Sequence, residues 1–231
     1  MVHVVVVGGG VNGVGSALAL LQKAPKCHVT IVSDEFSPYT TGDGAGGLWG
    51  PYLLQGTPEE KILSWGQETW NLFRDWWKSE KNYGVSLVSG TVICQENEPT
   101  QPWYQIPLAY TTLTQDQLVK YGPEYKSGYR YTSFIAEASR FLPKLMVEVQ
   151  ERGGKFENQH VKSLHEVASQ ADLVLNCSGL GAKAVVPDDG VYPTRGQVMR
   201  VREYEAYFEC WVIYFDSTTS VYIITFCYML K

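Results

Sequence analysis

Three glycines near the start of the chain have a spacing that suits phosphate chemistry. Gly8, Gly10 and Gly13 form the pattern G-x-G-x-x-G directly after a run of four valines at residues 4–7. In a nucleotide-binding turn, the first glycine permits a tight bend and the second lets the backbone approach a pyrophosphate. The third lets a helix pack closely against the strand. The glycines therefore predict a site for the diphosphate of a dinucleotide.

Two further features would complete such a site. The helix expected after the turn, over residues 14–24, would offer free N–H groups and a partial positive charge to the phosphates at its start. Asp34 lies twenty-one residues after Gly13 and is placed to accept a hydrogen bond from a ribose hydroxyl, with Glu35 as a second candidate. An acid at this place argues against the 2′-phosphate of NADP, but it does not separate NAD from FAD.

The elements that must position these residues follow from the apolar pattern. The valine run predicts a strand buried on both faces of a parallel sheet. Val14, Leu18 and Leu21 then recur at helical spacing, and residues 27–35 read as a second strand that ends in acid. This order predicts an α/β fold of the Rossmann type, and a glycine-rich turn in an unrelated α/β protein is the alternative.

Composition and charge argue against several other classes of protein. The chain has 231 residues, a net charge of −5 and no cluster of lysine and arginine, so nucleic-acid binding has no electrostatic support. No stretch reaches the roughly eighteen apolar residues of a membrane span. Five cysteines are scattered without C-x-x-C spacing, and His160 and His165 have no further ligand in helical register. We therefore expect reduced thiols and no metal site.

The segment SPYTTGDGAGGLWGPY, at residues 37–52, is a long loop of small and hydroxyl-bearing residues that ends in aromatic ones. Small residues suit backbone that lies close to a flat ligand, and hydroxyls suit contacts to phosphate or to a ring. The same composition also fits a plain connection. Composition alone therefore leaves both interpretations open.

Four motifs together resemble the D-amino-acid oxidase and D-aspartate oxidase family of FAD enzymes. They are the glycine pattern, the segment TTGDGAGGLWGPY, the segment ADLVLNCSGLGA at residues 171–182 and the segment PTRGQVMRV at residues 193–201. Their order and spacing match the family from residue 2 to about residue 202. The resemblance implies that the cofactor is FAD.

The resemblance also implies the fold class and the domain organisation. We expect an α/β protein with a Rossmann-like FAD-binding domain and an inserted α+β substrate domain. The FAD-binding domain would be discontinuous and comprise residues 1–50 and 141–195. The substrate domain, which would be incomplete, comprises residues 51–140 and 196–231.

The same resemblance implies which residues contact FAD. The implied set is Gly8, Gly10, Val11, Asn12, Gly13, Asp34, Glu35, Thr40, Thr41, Gly46, Gly47, Leu48, Val161, Ser178 and Gly179. The first five would hold the pyrophosphate, and the two acids are the candidates for the adenosine ribose. Thr40, Thr41 and the three residues 46–48 would line the flavin side. Val161 would hold the adenine through its backbone, and Ser178 and Gly179 would lie near the pyrophosphate.

The activity implied by the resemblance is oxidation of a D-amino acid, with D-aspartate as one candidate. The imino acid product would hydrolyse to a 2-oxo acid and ammonia, while oxygen is reduced to hydrogen peroxide. Tyr222 matches an active-site tyrosine of the family and would bond the substrate carboxylate. The partners would be this small molecule and oxygen, and oligomeric state has no signature in the sequence. A glycine- or sarcosine-type amine oxidase and a nucleotide-binding fragment without turnover are the alternatives.

The chain departs from the family pattern at its end. The family usually follows the segment YII with proline, whereas Thr225 stands here, six residues before Lys231. We therefore expect a C-terminally truncated form that lacks the family's carboxylate-binding arginine and has impaired activity. Family members are commonly peroxisomal, but the ending YMLK is not a targeting signal, so a cytoplasmic location is the alternative.

Local patterns predict further elements of the substrate domain and its border. Residues 64–80 predict an amphipathic helix, and residues 84–95 read as two short strands joined near Gly90. A second helix would be capped at Thr132 or Ser133 and end at two glycines. The stripe of the first helix that we expect in the core is Trp65, Thr69, Leu72, Phe73, Trp76 and Trp77.

Overall fold

The computed structural model describes residues 1–51, 54, 56–100, 102–193, 208–215 and 223–228. The strands are β1 His3–Gly9, β2 His28–Phe36, β3 Val85–Cys94, β4 Leu108–Thr112, β5 Ser127–Ala136, β6 Lys155–Asn158, β7 Leu173–Asn176, β8 Phe208–Phe215 and β9 Ile223–Tyr228. The helices are α1 Val11–Lys23, α2 Glu59–Lys78, α3 Gln115–Leu118, α4 Ala138–Glu151, α5 Leu164–Ala168 and α6 Ala182–Val185.

The chain divides into two compact units. The first comprises Met1–Gly46 and Glu137–Met199, and we call it the parallel-sheet unit. The second comprises Gly47–Ala136 and Arg200–Lys231, and we call it the mixed-sheet unit. The chain therefore leaves the parallel-sheet unit after Gly46, returns to it at Glu137 and leaves it again after Met199, so Gly47–Ala136 is an inserted segment.

A four-stranded parallel sheet forms the centre of the parallel-sheet unit, in the order β6-β2-β1-β7. β1 lies between two strands, and with both faces of the sheet covered the valines at residues 4–7 are at most 4% exposed. Burial of each such side chain contributes about 2 kcal/mol to folding. The buried strand, the turn, the helix and the second strand therefore occur as the sequence predicts.

Helices α1 and α4 pack against each other in this unit. The buried face of α1 includes Val14, Leu18 and Leu21, which recur every three or four residues and are at most 8% exposed. Leu142 and Val149 of α4 are fully buried. This packing fixes the position of the start of α1 at the edge of the sheet.

The mixed-sheet unit contains a five-stranded sheet in the order β4-β5-β3-β8-β9. β3 pairs with β5 in the antiparallel sense and with β8 in the parallel sense. Helix α2 packs through Trp70, whose ring centroid lies 5.0 Å from that of Trp49 and 4.5 Å from that of Phe134. Aromatic contacts of this kind hold the unit together.

Two expectations at the border of this unit are wrong. β3 is one strand, because its ladder with β5 runs without a break from Val85 to Cys94 and includes Gly90. Thr132 and Ser133 lie inside β5, and α4 begins only after Glu137, its N-cap residue. Both segments are held extended by pairing with each other across about forty residues of chain, which outweighs the local capping signal.

The predicted stripe of α2 is only partly right. Phe73 packs against the cluster of Trp49, Trp70 and Phe134, and Trp76 stacks on Tyr83, but other members of the stripe are exposed. Trp65, Leu72 and Trp77 are 56%, 45% and 46% exposed, whereas Trp70, outside the stripe, is 6% exposed. The helix approaches its neighbours at Gly66, where an added Cβ would lie 3.2 Å from a carbon of Ile106. A glycine carries no apolar side chain, so the periodic pattern missed the packed face at Gly66.

No helix in the described part of the chain is long and apolar enough to cross a membrane.

Candidate functional site

Glycine is present at three positions of the turn between β1 and α1, and the surroundings of each position differ. Gly8 has a φ of 116°, and a Cβ on it would overlap the backbone carbonyl of Cys177. A Cβ on Gly13 would overlap the carbonyl oxygen of Gly8, so the first turn of α1 lies directly on the end of β1. A Cβ on Gly10 would meet nothing within 4 Å. Gly8 and Gly13 are therefore required by packing, and Gly10 leaves the backbone open on its outer side.

The start of α1 is suited to an anion. Gly10 is its N-cap residue, and no side chain caps the helix and no acid lies in its first turn. Val11 is 46% exposed and Asn12 is exposed as well. The N–H groups of a first helical turn lack intrahelical partners and carry a partial positive charge. Bare backbone at Gly10 and this uncapped helix start together fit a diphosphate.

A second turn lies beside the first, at the end of β7. The Cys177 N–H donates to the Val7 carbonyl at 2.8 Å, which holds the residues after β7 against the end of β1. Asn176 Oδ1 accepts hydrogen bonds from the Ser178 N–H at 3.2 Å and from its hydroxyl at 2.7 Å. Gly179 has a φ of 57°. Ser178 and Gly179 are thus brought to the glycine turn, and Asn176, which the sequence reasoning did not include, fixes their shape.

Asp34 lies at the carboxyl end of β2, on the same edge of the sheet. Its carboxylate oxygens lie 2.8 and 2.9 Å from Nδ1 of His160, and its backbone carbonyl accepts a hydrogen bond from Asn158 Nδ2 at 2.8 Å. Glu35 is exposed, and its carbonyl accepts a hydrogen bond from the Ser33 hydroxyl. Of the two acids, Asp34 is the one whose position other residues hold.

Val161 lies close to Asp34 along this edge but points into the core. It is 8% exposed and packs in a cluster with Val5, Val7, Val32, Val167 and Val185. Its side chain is therefore used for packing, and its contact with adenine through the backbone stays a prediction.

The loop after β2 is shaped by a buried carboxylate. Asp43 is 4% exposed and accepts hydrogen bonds from the Thr40 N–H at 3.0 Å, the Thr40 hydroxyl at 2.6 Å and the Ser37 hydroxyl at 2.6 Å. Thr41 opens the short 3-10 turn that these bonds enclose, and Gly46 follows it. The Thr40 hydroxyl is thus a support for the loop. The sequence motif contained Asp43, but its role depends on burial, which the motif alone does not show.

Gly47 and Leu48 belong to the mixed-sheet unit. Gly47 has a φ of 77°, and a Cβ on it would overlap the Ala136 carbonyl. The Gly47 carbonyl accepts a hydrogen bond from the Ala136 N–H at 2.9 Å, and Leu48 pairs with Ile135.

The predicted substrate-binding residue Tyr222 lies outside the described residues, as does most of the segment PTRGQVMRV.

Four tyrosines of the mixed-sheet unit form a packed cluster that the sequence reasoning did not single out. The ring of Tyr104 stacks on that of Tyr110 at 4.9 Å and lies 4.6 Å from that of Tyr129, which stacks on Tyr131 at 5.9 Å. Burial raises the pKa of Tyr104, Tyr129 and Tyr131 well above the ordinary tyrosine value. Burial also raises the pKa of the neighbouring Cys94 thiol to about 12.

The three tyrosines and Cys94 stay protonated at neutral pH and are therefore unsuited to acid–base catalysis.

An open cavity of about 500 Å³ lies beside Tyr104 and Tyr110 and is also lined by Thr100, Pro102, Gln105 and Pro107. No group of three or more potential metal ligands occurs among the residues that the structure describes. The polar, backbone-lined candidate site is therefore the edge of the parallel sheet.

A parallel sheet with a glycine turn, an uncapped helix start and an acid at the end of the second strand defines a dinucleotide-binding protein of the Rossmann type. The sequence matches the FAD dependent oxidoreductase family (DAO) over residues 3–227, and the chain belongs to this family. The predicted family, fold class and cofactor are thereby confirmed.

The chain is similar to two oxidases of known activity. It is 36% identical to human D-aspartate oxidase over 205 residues, which cover 87% of this chain and 60% of that protein. It is 34% identical to D-amino-acid oxidase of Rubrobacter xylanophilus, over 85% of this chain and 58% of that protein. The chain therefore spans about three fifths of the length of these relatives.

Its fold is similar to that of glycine oxidase from Geobacillus kaustophilus, with a TM-score of 0.58 and 16% identity over 82% of this chain and 59% of that one. At this identity the likeness concerns the fold alone.

Proposed function

We propose that this protein takes part in the FAD-dependent oxidation of a D-amino acid to the 2-oxo acid, with release of ammonia and hydrogen peroxide. Bound FAD would accept the hydride from the substrate α-carbon and pass the electrons to oxygen. The relatives that are 34–36% identical are D-aspartate and D-amino-acid oxidases, which supports a D-amino acid as substrate. The glycine oxidase, at 16% identity, is more distant.

The observation that carries the proposal is the arrangement at the edge of the parallel sheet. The open backbone at Gly10 and the first turn of α1 would hold the diphosphate, and Ser178 and Gly179 would close the site from the neighbouring turn. Asp34 would accept hydrogen bonds from the adenosine ribose.

The remaining assignments follow from the resemblance. The backbone at Val161 would hold the adenine, and the loop from Thr40 to Leu48 would lie against the flavin. Tyr222 would bond the substrate carboxylate. We assign cofactor binding to residues 1–50 and 141–195 and substrate binding to residues 51–140 and 196–231. A peroxisomal location stays a prediction.

The first test is titration of the purified chain with FAD, followed by flavin fluorescence. We expect saturable binding that an Asp34→Ala variant weakens. The flavin-loaded chain is then mixed with D-aspartate, D-alanine, glycine or the L-isomers without oxygen, and the loss of visible flavin absorbance is recorded. Because one turnover per protein suffices for this signal, slow chemistry is still measured. Loss of flavin absorbance with D-amino acids alone supports the proposal. Loss of absorbance with glycine, or no loss with any of these compounds, contradicts it.

A further inference from the structure

His160 makes a side-chain contact with Asp34, the acid proposed to bind the ribose. Its Nδ1 is 2.8 Å from one carboxylate oxygen and 2.9 Å from the other. A carboxylate only accepts hydrogen bonds, so the contact requires a proton on Nδ1. The imidazole therefore donates between the two oxygens and sets the rotation of the carboxylate about its bond to Cβ.

The residues before and after His160 hold it in place. The Gln159 N–H donates to the Ser33 carbonyl at 3.0 Å, and Asn158 Nδ2 donates to the Asp34 carbonyl at 2.8 Å. Val161, the next residue, is buried in the apolar cluster of the unit. The end of β6 is thus fastened to the end of β2, so the imidazole is placed by the fold although the ring itself is exposed.

The contact leaves the carboxylate able to bind a ligand. Two carboxylate oxygens offer about four acceptor positions, and one shared N–H uses only the side that faces the ring. The side chains of Asp34 and His160 are 57% and 68% exposed, so hydroxyl groups can approach from solvent. An exposed pair of this kind adds little to folding stability. Removing this contact should therefore lower the affinity for the ligand and leave the folding stability unchanged.

We propose that His160 is a positioning residue, which holds the Asp34 carboxylate in the orientation that accepts the hydroxyls of the adenosine ribose. This inference rests on the proposed function, because it requires FAD to bind at this edge of the sheet. His160 acts through Asp34 and makes no contact with the reacting atoms.

The test compares FAD dissociation constants, from flavin fluorescence, for the unaltered chain and for His160→Ala, His160→Gln, Asp34→Ala and the double variant. His160→Ala should weaken FAD binding about fivefold, the effect expected for one exposed charge-assisted contact. His160→Gln keeps an N–H donor and should recover most of the affinity. In the Asp34→Ala background, His160→Ala should have no further effect, since the residue to be positioned is absent.

A second ligand separates positioning from a general structural role. An FAD analogue without the 2′-hydroxyl of the adenosine ribose should bind the unaltered chain more weakly than FAD, and His160→Ala should reduce that difference. The matched control is His165→Ala, an exposed histidine of α5, which should leave both affinities unchanged. Urea unfolding should give the same midpoint for all single histidine variants.

Two outcomes overturn the inference. One is an unchanged FAD affinity in His160→Ala, and the other is an equal loss of affinity with and without Asp34. Failure of the unaltered chain to bind FAD would be a different result, because it would overturn the proposed function and remove the basis of this inference with it.

Discussion

The parallel-sheet unit and the mixed-sheet unit use their polar groups in opposite ways. In the first, carboxylate, amide and backbone N–H groups gather at the exposed ends of β1, β2, β6 and β7. In the second, the hydroxyls of Tyr104, Tyr129 and Tyr131 lie inside a stack of rings, where burial raises their pKa. Open backbone at strand ends can bind a ligand, whereas a buried ring cluster mainly stabilises the fold.

The largest effect that tests this contrast is expected in the aromatic packing of the mixed-sheet unit. Trp70→Ala removes a 6% exposed ring that contacts Trp49 and Phe134, and it should lower the free energy of unfolding by about 4 kcal/mol. Trp65→Ala, in the same helix and 56% exposed, should change it by less than about 0.5 kcal/mol. Urea unfolding followed by circular dichroism measures both. Equal effects would show that the exposed face of α2 is packed in solution.

A somewhat smaller effect is expected in the glycine turn. Gly13→Ala places a Cβ on the Gly8 carbonyl oxygen, which should cost about 3 kcal/mol of stability and also weaken FAD binding. Gly15→Ala, two residues later in α1, meets nothing within 4 Å and should stabilise the helix by about 0.5–1 kcal/mol. The pair is compared by urea unfolding and FAD titration. A tolerated alanine at Gly13 would contradict the tight contact of α1 with β1.

The smallest effect depends on pH. The pKa of Tyr129 is raised in the folded chain, so its stabilising contribution is fully present below the ordinary tyrosine pKa of about 10 and is lost as pH rises above that value. Tyr129→Phe removes this titration and should make the alkaline loss of stability shallower. At neutral pH, where the hydroxyl is uncharged, the substitution should cost at most about 1 kcal/mol.

The measurement for this last variant is the urea midpoint between neutral pH and pH of about 11. Tyr192→Phe serves as the control, since Tyr192 is 76% exposed and lies outside the ring cluster. An unchanged alkaline slope in Tyr129→Phe would show that the ring cluster opens before its hydroxyls ionise.

The predictions that succeeded depend on residues close together in sequence. The valine run and the glycines lie in one strand–turn–helix–strand segment, and their residue types follow from local steric needs. This edge of the parallel sheet could therefore be predicted from sequence, and the roles of its residues in binding FAD stay predictions.

One prediction that failed and two features that the sequence did not predict depend on tertiary structure. Residues 132–136 carry a capping signal, yet they are a strand because β3 lies beside them. The contact of His160 with Asp34 joins positions 126 residues apart, and no spacing rule predicts it. Asp43 lies within a recognised motif, but its role as the support of the loop follows only from its burial.

The hydrogen bond between the Ala136 N–H and the Gly47 carbonyl has a topological consequence. The long segment that interrupts the parallel-sheet unit begins and ends at this one bond, so its two ends are as close as those of a tight turn. When the inserted segment Gly47–Ala136 is folded, the parallel-sheet unit has only a short loop to close between Gly46 and Glu137. The entropy cost of that closure is then small, whatever the length of the inserted segment. Such a junction can accommodate substrate-binding segments of different size while the order of the parallel strands stays the same.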